Sequence, residues 1–377
     1  RDRLESDLFR EDEGSKPQSG WRNTADGAPF GEKDLSLQSD TAFSYGYSQL
    51  SGDEEQLYRE ILNSLISYQE ETELSVKDPE MVERVFRYVM ADHPEIFYAD
   101  GYEVTTYRLG TELRRITFTG TWTLESDEVL SRRAQLEAAA ALWLEGLPDG
   151  TDDFEKAKYI YDALILRTEY EQGSADSQTI CSVLLNQRSV CQGYAKTFQY
   201  LCQLAGIPAM LVTGDVNGEG HAWNIVFLDG DWYYIDPTWG DASYQREEGE
   251  ETPALTETVN YDYFCVTTQE IERTHSMDDN QLLPVCNAVQ DQYYRHEGLY
   301  LQSADKEKID EIFARAAQKG APMVCFQCAD DTVYQEVYRL LIEEQGIFAY
   351  LPESETTAAY LDSDRERTFY FWFTEVS

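Results

Sequence analysis

Three residues of this chain have types and settings suited to covalent chemistry: a cysteine that opens a helix, a histidine that heads a strand and an aspartate that ends one. They stand in Val190-Cys191-Gln192-Gly193-Tyr194-Ala195, in His221-Ala222-Trp223-Asn224 and in Trp232-Tyr233-Tyr234-Ile235-Asp236-Pro237-Thr238-Trp239. In that order they supply a thiol nucleophile, its base and a group that orients the base. A thiol is only a few per cent ionised at neutral pH unless a base or a dipole shifts it. An imidazole titrates in the right range to do so, and a carboxylate on its far nitrogen fixes the tautomer and stabilises the imidazolium. The chemistry such a set performs is acyl transfer through a thioester.

Positioning these groups takes a helix and a hairpin. Ala195, Phe198, Cys202 and Ala205 recur at helical spacing and the run stops at Gly206, so a helix is expected to start at Cys191. The unpaired N–H groups and positive dipole end at that start favour thiolate over thiol, and one of those N–H groups can face an oxyanion. Two strand-like runs, Ala222 to Leu228 and Asp231 to Ile235, meet at Asp229-Gly230, a two-residue hairpin signal. With Leu228 opposite Asp231, Phe227 faces Trp232, Ile225 faces Tyr234 and Trp223 faces Asp236. His221 and Asp236 then share one face as diagonal neighbours, and a one-residue slip would separate them. The same face carries Phe227, Ile225, Tyr234 and Trp232, and it is expected to receive the helix that begins at Cys191.

The three segments resemble the core of the transglutaminase-like superfamily, the papain-like group in which Cys, His and Asp occur in that order. The resemblance spans residues 150 to 290. It implies an α+β fold in which a helix bearing the Cys packs on an antiparallel sheet bearing the His and Asp. Cys191 would be nucleophile, His221 general base and acid, and Asp236 the orienter. Thr238-Trp239 after Asp236-Pro237 is closest to the bacterial members rather than the animal cross-linking enzymes. Gln187 and Gln192, near the nucleophile, and Trp223 beside the histidine are candidates for an oxyanion donor or a cleft wall. No cofactor and no metal is called for, and no run is similar to the calcium sites of the animal enzymes.

At 377 residues the chain exceeds one ordinary core. Its 30 basic and 71 acidic residues give a formal charge of -41, a surface that repels nucleic acid and anionic lipid. No stretch of eighteen apolar residues is present, so no membrane span is expected. Residues 1–43 are polar, without apolar period, and read as a flexible segment; with Arg1 in first place, a removed leader or trimmed residues are expected, and an extracellular or cell-surface bacterial setting, with the cytoplasm as alternative.

The remainder divides into an N-terminal α+β module (44–125), a catalytic core (126–290) and a small C-terminal α/β domain (291–377). Ser51 and Glu54 suggest a capping box before Leu57, Ile61, Leu62, Leu65 and Ile66, and Asp78-Pro79 opens a second helix. Ile116, Phe118, Trp122 and Leu124 alternate like a strand, and helices follow at 126–146 and 152–167, with Asp152 and Glu155 as a cap. Glu247 to Glu251 reads as an exposed acidic segment, and Tyr261 to Val266 as a returning strand. In the last part strands at Leu299–Leu301, Met323–Cys328 and Thr368–Phe373 alternate with helices at Lys306–Gln318 and Thr332–Glu344. Cys325 and Cys328 lie in one of these strands, which points them to opposite faces and argues against a redox pair or zinc half-site. The seven cysteines show no disulfide framework. His275, His93 and His296, lacking a nucleophile or metal-like spacing nearby, are expected to be structural or surface residues.

Three functions fit. One is a thiol peptidase or amidase whose thioester is hydrolysed, acting on a peptide, a protein or a cell-wall peptide. A protein-glutamine transglutaminase would pass the acyl group to an amine, and a non-catalytic module would use the fold to bind peptide or wall polymer.

Overall fold

The computed structural model describes residues 44–147, 150–241, 259–351 and 358–372. The expectations for residues 1–43 and for the acidic run 247–251 lie outside the described residues.

The chain starts with α1 (Tyr45–Ser48) and α2 (Asp53–Ser67), followed by β1 (Thr72–Glu73) and α3 (Pro79–Asp92). The Asp78 carboxylate accepts the N–H groups of Glu80 and Met81 with Pro79 in the first turn, as its sequence predicts. The capping box at Ser51 is only half formed. Glu54 accepts the Ser51 N–H, yet α2 begins at Asp53 behind Gly52, which takes the N-cap position without a side-chain bond. Gly52 has φ 59°, a conformation that turns the chain into the helix one residue later than Ser51 would. The long hairpin of β2 (Ala99–Leu109) and β3 (Glu112–Trp122) completes a three-stranded antiparallel sheet in the order β1-β3-β2. Ile116 and Phe118 bury against Leu57, Ile61 and Val85.

Helices α4 (Ser126–Leu144) and α5 (Asp153–Arg167) follow, α5 capped by Asp152 accepting from the Glu155 N–H. Next come β4 (Glu169–Tyr170), α6 (Ile180–Leu184), β5 (Arg188–Ser189), which pairs with β4, and α7 (Cys191–Leu204). At the end of α7, Gly206 at φ 82° donates to the Gln203 carbonyl and Ile207 to that of Cys202, a Schellman closure. The central sheet is antiparallel in the order β10-β6-β7-β8-β9, built from β6 (Ala209–Val216), β7 (Glu219–Leu228), β8 (Asp231–Ile235), β9 (Phe264–Val266) and β10 (His275–Met277), with α8 (Thr268–Ile271) between the last two.

The hairpin register is the one counted from the sequence: Leu228 pairs with Asp231, Phe227 with Trp232 and Ile225 with Tyr234. Asp229 and Gly230 both take positive φ, 48° and 104°, as a turn matching the right-handed strand twist requires. The face that receives α7 differs from expectation. Asn224, which alternation places opposite His221, donates to the Ala195 carbonyl of α7 at 3.0 Å. Val226, Leu228, Tyr233 and Ile235 on that side share a core with Phe198, Leu201 and Cys202. The His221 face is filled by Met210, Val212, Trp223, Ile225 and Tyr234 under Tyr263, Val266 and Ile271. Both faces of the sheet are buried, so an apolar face alone did not select the helix side.

After α9 (Tyr293–His296), β11 (Tyr300–Leu301), α10 (Lys306–Lys319), β12 (Met323–Cys328), α11 (Asp331–Tyr338), β13 (Ala359–Ser363) and β14 (Thr368–Trp372) form an α/β unit with sheet order β11-β12-β14-β13. Strand β13, exposed at the sheet edge, has no counterpart in the sequence reading. Cys325 and Cys328 do face apart: Cys325 packs with Tyr293 and Tyr370, Cys328 with Ile309 and Phe369. All seven cysteines are free thiols.

Candidate active site

Cys191 is the first residue of α7, and extended Val190 before it makes no side-chain cap. The positive end of the helix is therefore left to the thiol instead of being taken up by a capping oxygen. Gly193 fixes how closely this helix start can settle. A Cβ there would stand 1.9 Å from Ser189 Oγ and 2.7 Å from both Ser177 O and Ser182 Oγ. Those atoms already form a tight knot, with Ser182 and Ser189 hydroxyls 2.7 Å apart and Ser189 Oγ donating to Ser177 O at 2.9 Å. Cys191 itself is half-buried, whereas the other six cysteines are buried.

His221 lies on β7 opposite Gly214 of β6, and Asp236 directly follows β8. The imidazole Nε2 is 2.8 Å from Asp236 Oδ2. Cys191 lies near enough to contribute to the titration of His221. Burial works to lower the His221 pKa, but the Asp236 charge and hydrogen bond, helped by Cys191, push it up to about 10. Asp236 responds in the opposite sense: although burial alone would raise it, His221 and His275 hold it well below the usual carboxylate range. These opposite shifts favour the charged form of both partners.

The Asp236 carboxylate is completely engaged. Oδ1 accepts the backbone N–H groups of Thr238 at 2.9 Å and Trp239 at 3.1 Å; Oδ2 accepts from His221 and, at 2.9 Å, from His275 Nε2. His275 is thus a correction to the sequence reading. Of the two expectations, structural or surface, the surface one fails: His275 is buried against the same carboxylate as His221. Strand β10 brings it there by pairing with β6, His275 opposite Val216. The strands approach closely because Gly214 has no side chain: a Cβ would meet Ser276 O at 2.0 Å and the Trp223 ring at 2.7 Å. His93 and His296 are elsewhere, His93 bonded to Glu95 and His296 stacked on Phe154.

The other candidates fare unequally. Gln192 occupies the first turn of α7, half-buried next to the thiol. Gln187 is exposed in a left-handed turn (φ 55°), its carbonyl accepting the Glu169 N–H. Trp223 is fully buried, its ring centroid 5.9 Å from His221 and 4.9 Å from His275, so it walls the imidazoles and does not line an open cleft. Trp239 and Tyr263 complete this wall, at 5.1 and 5.6 Å from His275. Trp239 was legible in the motif after Asp236; His275 and Thr274 had no local signal.

Two groups among the described residues could gather round a cation, His221 with Asp236 and His275, and Glu155 with His296 and Glu297. In the first the ligand atoms already satisfy one another as donors and acceptor, so the set is complete without an ion.

The antiparallel sheet, the helix opened by a thiol and the His–Asp contact define an α+β fold of transglutaminase-like type. Residues 144–237, the span containing Cys191, His221 and Asp236, match the transglutaminase-like superfamily. It is 33% identical over 111 residues to the human kyphoscoliosis peptidase and 32% identical to the mouse protein. Those alignments cover 25% of this chain and only 17% of the length of each relative. Solved structures similar to it include a TGase (13% identity, TM-score 0.28, 46% of this chain and 61% of that one). Another is the periplasmic domain of TgpA from Pseudomonas aeruginosa (18% identity, TM-score 0.25, 40% and 67%).

Proposed function

We propose that the protein is a thiol acyl-transfer enzyme acting on amide bonds, a cysteine peptidase or amidase. The observation that carries this reading is the buried His221–Asp236 contact, with Cys191 near enough to act on His221 and standing at an uncapped helix start. The Cys191 thiolate adds to the carbonyl carbon, and a backbone N–H of the first turn of α7 receives the oxyanion. His221 gives its proton to the leaving nitrogen as the C–N bond breaks, leaving a Cys191 thioester. Water then attacks the thioester, losing a proton to His221, and the acid departs as the thiol reforms. Asp236 stabilises the imidazolium in both halves and holds its orientation.

The kyphoscoliosis relatives are named as peptidases, which supports peptide bonds as the substrate class. The acidic surface favours neutral or basic peptides by long-range steering, an effect that salt weakens. Work outside the cell or at its surface is part of the same proposal, resting on the polar composition of residues 1–43. The test is incubation of the full chain with a peptide library, with and without a primary amine, read by mass spectrometry. Hydrolysed products that vanish with Cys191→Ala support the proposal. Amine-linked products that vanish with it make the protein a transglutaminase, and products that persist refute Cys191 as nucleophile.

A further inference from the structure

His275 lies outside the span matched by the family and has no part in the three-residue reading, yet it uses the same oxygen as His221. The Asp236 carboxylate offers about four acceptor sites, and all four are filled. The two backbone N–H groups hold Oδ1; the two imidazoles share Oδ2. With only the backbone contacts, Oδ2 could swing about the side-chain torsion and carry His221 with it. His275, bonded to the same oxygen, closes off that motion.

The ring of His275 is itself fixed. Its Nδ1 is 2.7 Å from Thr274 Oγ1, and Trp223, Trp239 and Tyr263 stand round its faces and edges. A hydroxyl donating to Nδ1 leaves the proton on Nε2, the nitrogen that must donate to Asp236. The titratable groups facing the ring are Asp236, His221 and Tyr263, whose hydroxyl donates to Glu366 at 2.9 Å. No lysine or arginine contacts it among the described interactions, and His221 and Asp236 supply the charge.

We infer that His275 is a positioning residue for the thiol chemistry, holding Asp236 Oδ2 between two imidazoles so that His221 keeps its proton directed at the carboxylate and its other nitrogen at Cys191. The role also divides the carboxylate charge. A second donor on Oδ2 draws density from the first, so His275 tempers the basicity that Asp236 confers on His221. Losing the donor then loosens the geometry and strengthens the remaining His221–Asp236 attraction, which moves the loss of the His221 proton to higher pH.

This inference rests on the proposed role of Cys191, and the experiment separates the two. The rate of Cys191 alkylation by iodoacetamide is followed from about pH 5 to about pH 11.5 in the full chain, by mass spectrometry of the Cys191 peptide. The variants are His275→Leu, His275→Gln and Thr274→Val, with circular dichroism melting for each. If wild-type Cys191 reacts no faster than an unfolded-chain thiol, the nucleophile reading fails, and His275 with it. If Cys191 is fast, His275→Leu is expected to slow it by about tenfold to hundredfold, the range found when a partner that orients a metal-ligating histidine is removed. Its upper pH limb moves alkaline. His275→Gln, which can donate from a terminal amide, is expected to stay within about threefold of wild type with an unmoved limb. Thr274→Val, a gentler change that leaves the ring, shifts rate and limb in the Leu direction. A folded His275→Leu with wild-type rate and profile overturns the inference. So does a folded His275→Gln as slow as Leu, since packing and not donation would then be what the site needs.

Discussion

Replacing Asp236 by Asn tests whether the carboxylate sets the tautomer of His221. The side chain keeps its shape, and its oxygen can still accept the Thr238 and Trp239 N–H groups where Oδ1 stands now. Its NH2 then occupies the place of Oδ2, with two imidazole Nε2 atoms at 2.8 and 2.9 Å. Two N–H donors cannot face an NH2. Each ring must present a lone pair there, which moves the His221 proton to the nitrogen beside Cys191. A histidine protonated on that side without a carboxylate behind it neither takes the thiol proton nor persists as imidazolium. Where the same substitution has been made in a serine-protease triad, the wrong tautomer cost about 10⁴ in kcat. A similar loss here corresponds to roughly 5 kcal/mol of transition-state stabilisation at about 1.4 kcal/mol per factor of ten. The assay is single-turnover alkylation and, once a peptide substrate is in hand, kcat for its hydrolysis. Wild-type Cys191 is expected to be alkylated much faster than an unfolded-chain thiol, and the Asn variant to lose that advantage. An Asn variant with wild-type rate and pH profile would refute the tautomer argument, provided melting shows it folded.

Three other outcomes follow from the same contacts. His221 has its pKa raised from 6.5 to about 10, burial lowering it but Asp236 and Cys191 prevailing. A raised value stabilises the fold fully below the unfolded pKa and is lost as pH climbs through the folded one. Urea unfolding should therefore show the gap between wild type and His221→Gln shrinking between about pH 6.5 and pH 10, and a gap that widens there contradicts the assignment. Gly193→Ala forces a Cβ to 1.9 Å from Ser189 Oγ, and should cost about 1–3 kcal/mol in denaturant midpoint while slowing Cys191 alkylation; a neutral Ala would mean the helix start is not seated on the serine knot. Ellman titration of the native chain should show one fast thiol, Cys191, and seven after unfolding, since the other six are buried; fast loss of Cys325 or Cys328 would speak against their burial in β12.

Local order was legible and long-range convergence was not. The periodicity from Ala195 to Ala205 with Gly206 set both ends of α7, and Asp229-Gly230 with strand parity placed His221 and Asp236 on one face. These signals are short-range: hydrogen bonds four residues apart or across one turn. His275 reaches Asp236 across 39 residues and through β6, whose Gly214 permits the approach only once the strands are paired. Nothing adjacent to His275 in the chain encodes that. The side of the sheet taken by α7 failed for a different reason. Parity assigns faces but not which neighbour covers them, and here Asn224, a polar residue, marks the helix side by its bond to Ala195 O.

The contacts of Asp236 also connect the candidate site to the rest of the chain. Its N–H donates to Tyr263 O at 3.0 Å, so its backbone depends on the segment before β9. That segment is held from two directions. Tyr161 of α5 donates to Asn260 O at 2.8 Å, while Tyr370 of β14 donates to Asn260 Oδ1 at 2.9 Å and Tyr263 reaches Glu366. Asp262, in the middle, is buried and accepts from Tyr294 at 2.6 Å and from Thr368 at 3.0 Å, and it shares the single Tyr370 hydroxyl proton, 3.0 Å away, with Asn260. Burial pushes its carboxyl up to about 6 even though these donors work against the rise. A carboxylate kept in so unfavourable a place needs its donors, and they come from α9 and β14. The last strand of the chain therefore belongs to the support of Asp236. The geometry at Cys191 depends on a module that begins more than fifty residues after the hairpin ends.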